Sequence, residues 1–302
     1  ARQLASTYAV ETVVVADADP VTHRKGADLL VAGAEASDAV VPEADVVLLA
    51  TPAGTQADLG AQALRQGASV VATSDEVGDV RALLDLDPEA VERGATVVVG
   101  ARFAPGLSCL LARHAAGTLD VVDEVHVAKV GTGGPACAAQ HHRALGSDGL
   151  DWRDGGWMAR SGGSGRELCW FPEPVGGRDC YWAAVPDPLL LVDAFGALER
   201  VTARQAANRR DRLTARLPML RRPHPEGGLG AIRVEVRGSR AGGRDVVVYG
   251  AMDRPAVAAG AVAAVSARAL GDGSILRHGA FGLAALVDPL PLLADLAERG
   301  IR

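Results

Sequence analysis

Lysine is nearly absent from this 302-residue sequence. Of 31 basic residues only Lys25 and Lys129 are lysines. The skew reads first as genome-wide codon bias. Cysteine is sparse too: Cys109, Cys137, Cys169 and Cys180 form no C-x-x-C pair. The spacing therefore indicates neither a zinc site nor a disulfide framework, no metal centre is expected, and a reducing cytoplasm fits best. No run approaches the roughly 20 apolar residues that span a bilayer. The nearest, Ala256 to Val265, is alanine-rich and followed by Arg268, and reads as a closely packed helix. No secretory signal is visible, and no membrane partner is expected. Net charge is −6, an acidic balance that argues against a nucleic-acid partner. At 48% hydrophobic and 23% charged the chain is globular, long enough for one large or two ordinary domains.

The first hundred residues alternate strands and helices at short spacing. Ala1 to Thr7 reads as the end of a helix, and Thr12 to Ala16 as a β-branched strand closed by Asp17-Ala18-Asp19-Pro20. Pro20 to Ala32 fits a helix and Asp38 to Val41 a short strand. Asp45 to Thr51 is the strongest strand: an apolar run ended by Thr51-Pro52-Ala53-Gly54, the pattern of a strand buried on both faces. A helix from Thr55 to Gly67, a strand at Ser69 to Thr73, a helical stretch at Glu76 to Arg93 broken at Pro88, and a strand at Thr96 to Gly100 complete the pattern. This predicts a doubly wound parallel α/β sheet of the Rossmann type. Right-handed crossovers place the loops after Ala16, Thr51, Thr73 and Gly100 along one edge, where such sheets bind ligands. Thr51, Pro52, Ala53, Thr73, Ser74 and Pro105 are accordingly candidates to face a dinucleotide.

An acid past the second strand of such a fold holds the adenosine ribose, and Asp17 is the candidate; Asp19 reads as a helix cap. The Asp17 carboxylate would repel a 2′-phosphate, which leans the cofactor toward NAD, while His23, Arg24 and Lys25 nearby could attract one. A glycine-rich G-x-G-x-x-G turn should precede Asp17 by about 20 residues. Counting back runs off the chain. The expectation is therefore a sheet without its first, central strand and phosphate loop, through truncation inside the first helix or through loss.

After Gly100 the motifs become specific. Gly100, Pro105 and Gly106 form a turn that follows the fourth strand, and the stretch ATPAGTQADL runs from Ala50 to Leu59. On these residues the sequence resembles the saccharopine dehydrogenase-like family of NAD(P)-dependent oxidoreductases, from Val10 to about His142 and only generally beyond. Homoserine dehydrogenase, diaminopimelate dehydrogenase and dihydrodipicolinate reductase share the layout, and all act on amino-acid-derived substrates. The resemblance implies NAD or NADP as cofactor, a turn leading from the cofactor domain into a catalytic domain, and a homodimer through the second-domain sheet.

Residues 1–120, joined by 280–302, are expected to form the cofactor domain, and 121–280 an α+β second domain with a mixed or antiparallel sheet. In it, strands are expected at Val122 to Val130, Glu167 to Phe171, Arg200 to Ala206, Ala231 to Arg237 and Asp245 to Tyr249. Helices are expected at Asn208 to Leu217, Ala256 to Leu270 and Pro291 to Arg299. Lys129 shares strand parity with Val125 and Val127 and is a candidate proton donor or base, or a snorkelling strand-end lysine. Gly131-Thr132-Gly133-Gly134 leads into a helix at Pro135. The N–H groups of Gly133 and Gly134 could hold a substrate carboxylate, or the segment is an ordinary turn.

His141 and His142 stand about 100° apart on that helix, too far round to chelate one metal together, and one of them is a candidate acid–base group. A paired-histidine segment in dihydrodipicolinate reductase offers a loose parallel. The lysine that follows it there is replaced here by Arg143, itself a candidate substrate ligand. Arg209, Arg212 and Arg216 share a helical face within a basic run. That face is solvated, forms a subunit contact, or clamps a carboxylate through Arg209 and Arg212. Trp152, Trp157, Trp170 and Trp182 crowd a loop-rich region as anchors or as pocket walls.

Together these features predict hydride transfer between nicotinamide and a small amino-acid-derived substrate. The rival expectation is a non-catalytic homologue acting as a ligand sensor or partner subunit. A sugar or inositol dehydrogenase is disfavoured, because Thr73-Ser74-Asp75-Glu76 stands where an E-K-P motif would be.

Overall fold

The structure, a computed structural model, describes residues 2–7, 10–17, 34–37, 39–219, 223–286 and 288–302. The helix expected at Pro20 to Ala32, with His23, Arg24 and Lys25, lies outside these residues. Helix α1 (Arg2–Ala5) precedes β1 (Val13–Val15), β2 (Ala34–Ala36), β3 (Val46–Leu49), α2 (Gln56–Arg65), β4 (Ser69–Ala72), α3 (Val77–Leu84), α4 (Asp87–Glu92) and β5 (Thr96–Val99). Then come α5 (Leu107–Ala116), β6 (Val121–Val130), α6 (Pro135–Gly146), β7 (Gly149–Arg153), β8 (Gly156–Arg160), β9 (Glu167–Trp170), β10 (Gly177–Trp182) and α7 (Asp187–Phe195). The chain continues through β11 (Arg200–Ala206), α8 (Arg209–Thr214), β12 (Gly230–Arg240), β13 (Gly243–Asp253), α9 (Pro255–Gly271), β14 (Gly279–Gly282) and α10 (Leu290–Glu298).

The first unit is parallel α/β. Strands β14, β5, β4 and β3 form one parallel sheet in that order, and β1 pairs in parallel with β2. Among the described residues no strand joins the two groups. Consecutive residues Val70 and Val71, and Val97, Val98 and Val99, are fully buried. Successive strand residues face opposite sides, so both faces of this sheet are covered. Helices α2 and α9 pack against β3 and β4. Helix α9 thus sits on the first sheet although it falls within the 121–280 span. Pro88 stands in the first turn of α4, where its missing N–H is no loss.

The strand expected at Asp38 to Val41 is corrected to β2 at Ala34–Ala36. Ala and Glu have little strand preference, so pairing with β1 sets this strand rather than propensity. Residues 39–41 bend instead, with Val40 out in solvent and Val41 packed into the core.

The second unit is a mixed eight-stranded sheet in the order β13-β12-β6-β11-β10-β9, with β7 also on β11 and β8 on β7. Only the β6–β11 pair in it is parallel. Helix α5 packs on β12, β13 and β6, and α7 on β11 and β7. Val125 and Val127 face the main core, whereas Ala128 faces a smaller cluster with Cys169, Phe171, Cys180 and Ala231. Strands β7, β8, β10 and β14 and helix α7 escaped the sequence reading. The β7–β8 turn carried a signal, Asp154-Gly155, both with positive φ (50° and 82°) as a type I′ hairpin demands. In β14 two of four residues are glycines, and a Cβ on Gly282 would press into Leu190 at 2.7 Å. Among the described residues no helix is long and apolar enough to cross a membrane.

Candidate active site

The carboxyl ends of β3, β4 and β5 are tied together by a glutamine that sequence reasoning missed. Gln56 opens α2 and is 2% exposed. Its Nε2 donates to the Thr51 carbonyl at 2.9 Å, and its Oε1 accepts from the Thr73 N–H at 3.0 Å. The Thr73 hydroxyl donates back to the Leu49 carbonyl at 2.9 Å. Thr51, Pro52, Ala53 and Gly54 are held as an exposed shelf directly after the buried Leu49. Ser74 is buried beside it, and its hydroxyl accepts the Glu76 N–H at 3.3 Å.

The turn after β5 is built for a tight reversal. Gly106 has φ 122°, and a Cβ there would overlap the backbone of Arg102. Pro105 is buried against Gly100. The reversal projects Arg102 across the sheet edge. Its Nη1 lies 2.8 Å from Asp75 Oδ1 and donates to the Thr73 carbonyl at 3.2 Å, while Nη2 donates to Cys137 Sγ at 3.4 Å.

Opposite this edge the large sheet ends in a polar row. Lys129 closes the apolar series Val125, Val127, with Gln205 of β11 on one side and Ile232 of β12 on the other. Gln205 is fully buried and donates to the His141 carbonyl at 2.7 Å. Asp75, Arg102, Phe103, Ala104, Lys129, Cys137 and His141 enclose a cavity of about 20 Å³, roughly enough for one water. His141 also borders a wider cleft of about 750 Å³ with His142, Leu168, Arg178, Asp179, Asn208 and Asp211. Gly131 lies on both.

Burial, reinforced by the Lys129 ammonium, pushes the His141 imidazole down to about 4. It is neutral at pH 7. The Ala206 carbonyl lies 3.4 Å from Nε2, so Nε2 carries the proton and Nδ1 is the free acceptor. Asp187, fully buried in the first turn of α7, accepts the Ser108 hydroxyl at Oδ1 (2.6 Å), and its Oδ2 has no hydrogen-bond partner. Burial raises its carboxyl, and Lys129 opposes the rise. Next to Ser108, burial pushes the Cys109 thiol up to about 12.

The remaining candidates lie apart from the small cavity. His142 reaches the Leu217 carbonyl at 3.0 Å. Gly133 packs against Ala256 at 3.2 Å and Gly134 against the Pro225 carbonyl at 2.8 Å, distances reckoned from an added Cβ, so close packing accounts for both glycines. Arg143 is exposed and spent on Gln140 of its own helix at 2.9 Å. Arg209 is exposed on α8. Arg212 donates to the Gly163 carbonyl at 2.8 Å and covers Tyr181 at 4.2 Å. From that helix it is the capping-box pair Asn208 and Asp211 that borders the cleft. Trp152 donates to the Leu198 carbonyl at 2.9 Å and meets Trp157 edge-on at 5.0 Å, Trp182 is buried, and Trp170 is exposed. Asp17 stands exposed after β1.

No family model matches the sequence. No curated protein matches it either. Among solved structures, diaminopimelate dehydrogenase of C. glutamicum in complex with DAP aligns at 16% identity and a TM-score of 0.48, over 95% of this chain and 98% of that one. Apo saccharopine dehydrogenase (L-Glu forming) from Saccharomyces cerevisiae aligns at 16% identity with a TM-score of 0.72, over 99% of this chain and 94% of that one, so the chain has the saccharopine dehydrogenase fold.

Proposed function

We propose that the chain is an NAD(P)-dependent oxidoreductase acting on a small amino-acid-derived substrate. One observation carries the reading: Lys129 and His141 of the second unit meet Asp75 and Arg102 of the parallel-sheet edge around a single cavity. The residues present suit a nicotinamide. The shelf Thr51 to Gly54 exposes backbone and small side chains along which a dinucleotide could lie. Asp17, exposed after β1, suits the ribose hydroxyls.

Bound there, the nicotinamide supplies hydride chemistry at C4. The protein's part is orientation and one proton. Lys129 offers ammonium donors to the substrate's nitrogen or oxygen, and His141, neutral, accepts at Nδ1. Arg102 and the Gln56 clamp hold the edge against which the ring would lie. The wider cleft, whose lining includes Arg178, Asp179 and Asp211, suits a substrate carrying both a carboxylate and an ammonium group. A homodimer through the open face of the large sheet, where Val246 and Val248 are exposed, belongs to the same reading.

The test is titration of the chain with NADH and with NADPH, followed by nicotinamide fluorescence and then by oxidation of a panel of amino acids. Binding of either dinucleotide with turnover that Lys129→Met abolishes supports the proposal. Binding without turnover on any panel member favours the sensor reading. No binding of either dinucleotide sinks the proposal.

A further inference from the structure

Gln205 Oε1 and Asp187 Oδ2 are buried acceptors without hydrogen-bond partners, and Gln205 stands beside Lys129 on the neighbouring strand. Gln205 and Lys129 are register partners on parallel strands, so their side chains leave the sheet on one face, side by side. Gln205 is fully buried. Its contact with the His141 carbonyl must come from the amide nitrogen, which fixes the side-chain oxygen as the atom left over. Asp187 Oδ2 is the second orphan, in a residue fully buried at the start of α7. Among the described residues Lys129 Nζ has no hydrogen bond or ion pair. Buried polar atoms in folded proteins are almost always paired. An ammonium has three protons to give; Gln205 is the strand neighbour of Lys129, and the Lys129 charge acts on Asp187.

We infer that Gln205 and Asp187 are positioning residues for Lys129, the acceptors between which its ammonium is held over the cavity. The inference rests on the reading that Lys129 serves the reaction. Gln205 has a double duty: the same amide fixes the backbone of His141, so it sets the spacing between the two acid–base groups. Asp187 is anchored by Ser108, leaving Oδ2 as the free end. The other charged or titratable groups facing Lys129 are His141 from α6, Asp75 from the loop after β4 and Arg102 from the turn after β5; Cys109 faces Asp187. Asp187 and Asp75 favour the ammonium, and Arg102 opposes it.

The sequence makes the test clean, because Lys25 and Lys129 are its only lysines. Lysine-selective ¹³C,¹⁵N labelling of the chain yields two side-chain signals, and Lys129→Met identifies one. A pH titration of that signal needs neither cofactor nor substrate, so its outcome is separate from that of the dinucleotide titration. Asp187→Asn is expected to lower the Lys129 midpoint by about one unit, since a nearby opposite charge favours the ammonium. Gln205→Glu is expected to raise it by a similar amount, about one unit. Gln205→Met is expected to speed exchange of the Nζ protons with water. The Lys25 signal stays put in all three. Loss of a purely structural contact would lower stability without moving the midpoint. Midpoints unchanged in the variants overturn the inference. If the variants do not fold, the unaltered chain decides: Nζ protons of Lys129 that exchange as fast as those of free lysine overturn it, and slower exchange supports it.

Discussion

Arg102 bridges Asp75 at 2.8 Å, with the side chains 19% and 11% exposed. The pair joins the turn after β5 to the loop after β4 and closes one wall of the cavity. A half-buried pair of this kind does little for stability as a pair, but removing one member strands the other charge. Arg102→Met is expected to cost about 2 kcal/mol in urea denaturation, between the values for exposed and fully buried pairs. The double variant Arg102→Met/Asp75→Asn should recover part of that loss. Additive losses would show that the two side chains do not depend on one another.

Cys137 is the one cysteine of the four not buried. It lines the small cavity within 3.4 Å of Arg102 Nη2. A thiol reagent should therefore label one site in the native chain and four in urea. Saturating NADH or NADPH should slow that single labelling several-fold if the ring enters between Arg102 and His141. Labelling that proceeds equally fast in the dinucleotide-bound protein would place the ring elsewhere along the edge.

His141 makes stability depend on pH. Its folded value, about 4, lies below the ordinary histidine value near 6.5, so between the two the unfolded chain binds the proton more readily. Its contribution is complete above about pH 6.5 and is lost as pH falls toward 4. Unfolding free energies of the parent chain and of His141→Gln, measured between pH 7 and 4.5, should converge or cross as the parent loses about 2 kcal/mol more than the variant. Parallel curves would show that His141 charges freely in the folded protein. His126, also depressed by burial but on the opposite face of β6, contributes equally to both and cancels in the comparison.

What could be read from the sequence was what local periodicity dictates. The apolar runs located β3, β4, β5 and β6, and strand parity placed Lys129 on the row of Val125 and Val127. The rest of the site depends on partners far apart in the chain. Gln205 answers the backbone of His141 across 64 positions, and Arg102 the Thr73 carbonyl across 29. Nothing local marks either residue. Gln56 looks like any polar residue opening a helix until its amide is seen bridging two loops. The arginine run was ambiguous for a related reason. Helical spacing put Arg209, Arg212 and Arg216 on one face, but the helix ends at Thr214, and its cap rather than its charges meets the cleft. Glycine clusters were ambiguous as well, because Gly133 and Gly134 are needed for close packing whether or not a ligand is near.

Asp17 is exposed at the carboxyl end of β1, and the proposed function gives it the adenosine ribose. A carboxylate accepts hydrogen bonds from the 2′- and 3′-hydroxyls and repels a 2′-phosphate, so NADH should bind more tightly than NADPH. Asp17→Ser keeps a small polar group and removes the charge. It is expected to weaken NADH about tenfold, or about 1.4 kcal/mol, and to strengthen NADPH. The preference should narrow further at high salt, which screens an exposed charge. Fluorescence titrations with both dinucleotides at two ionic strengths give the four dissociation constants needed. A variant with the parent's NADH-to-NADPH ratio would mean that the ribose is read by other residues, and would remove the argument for NAD.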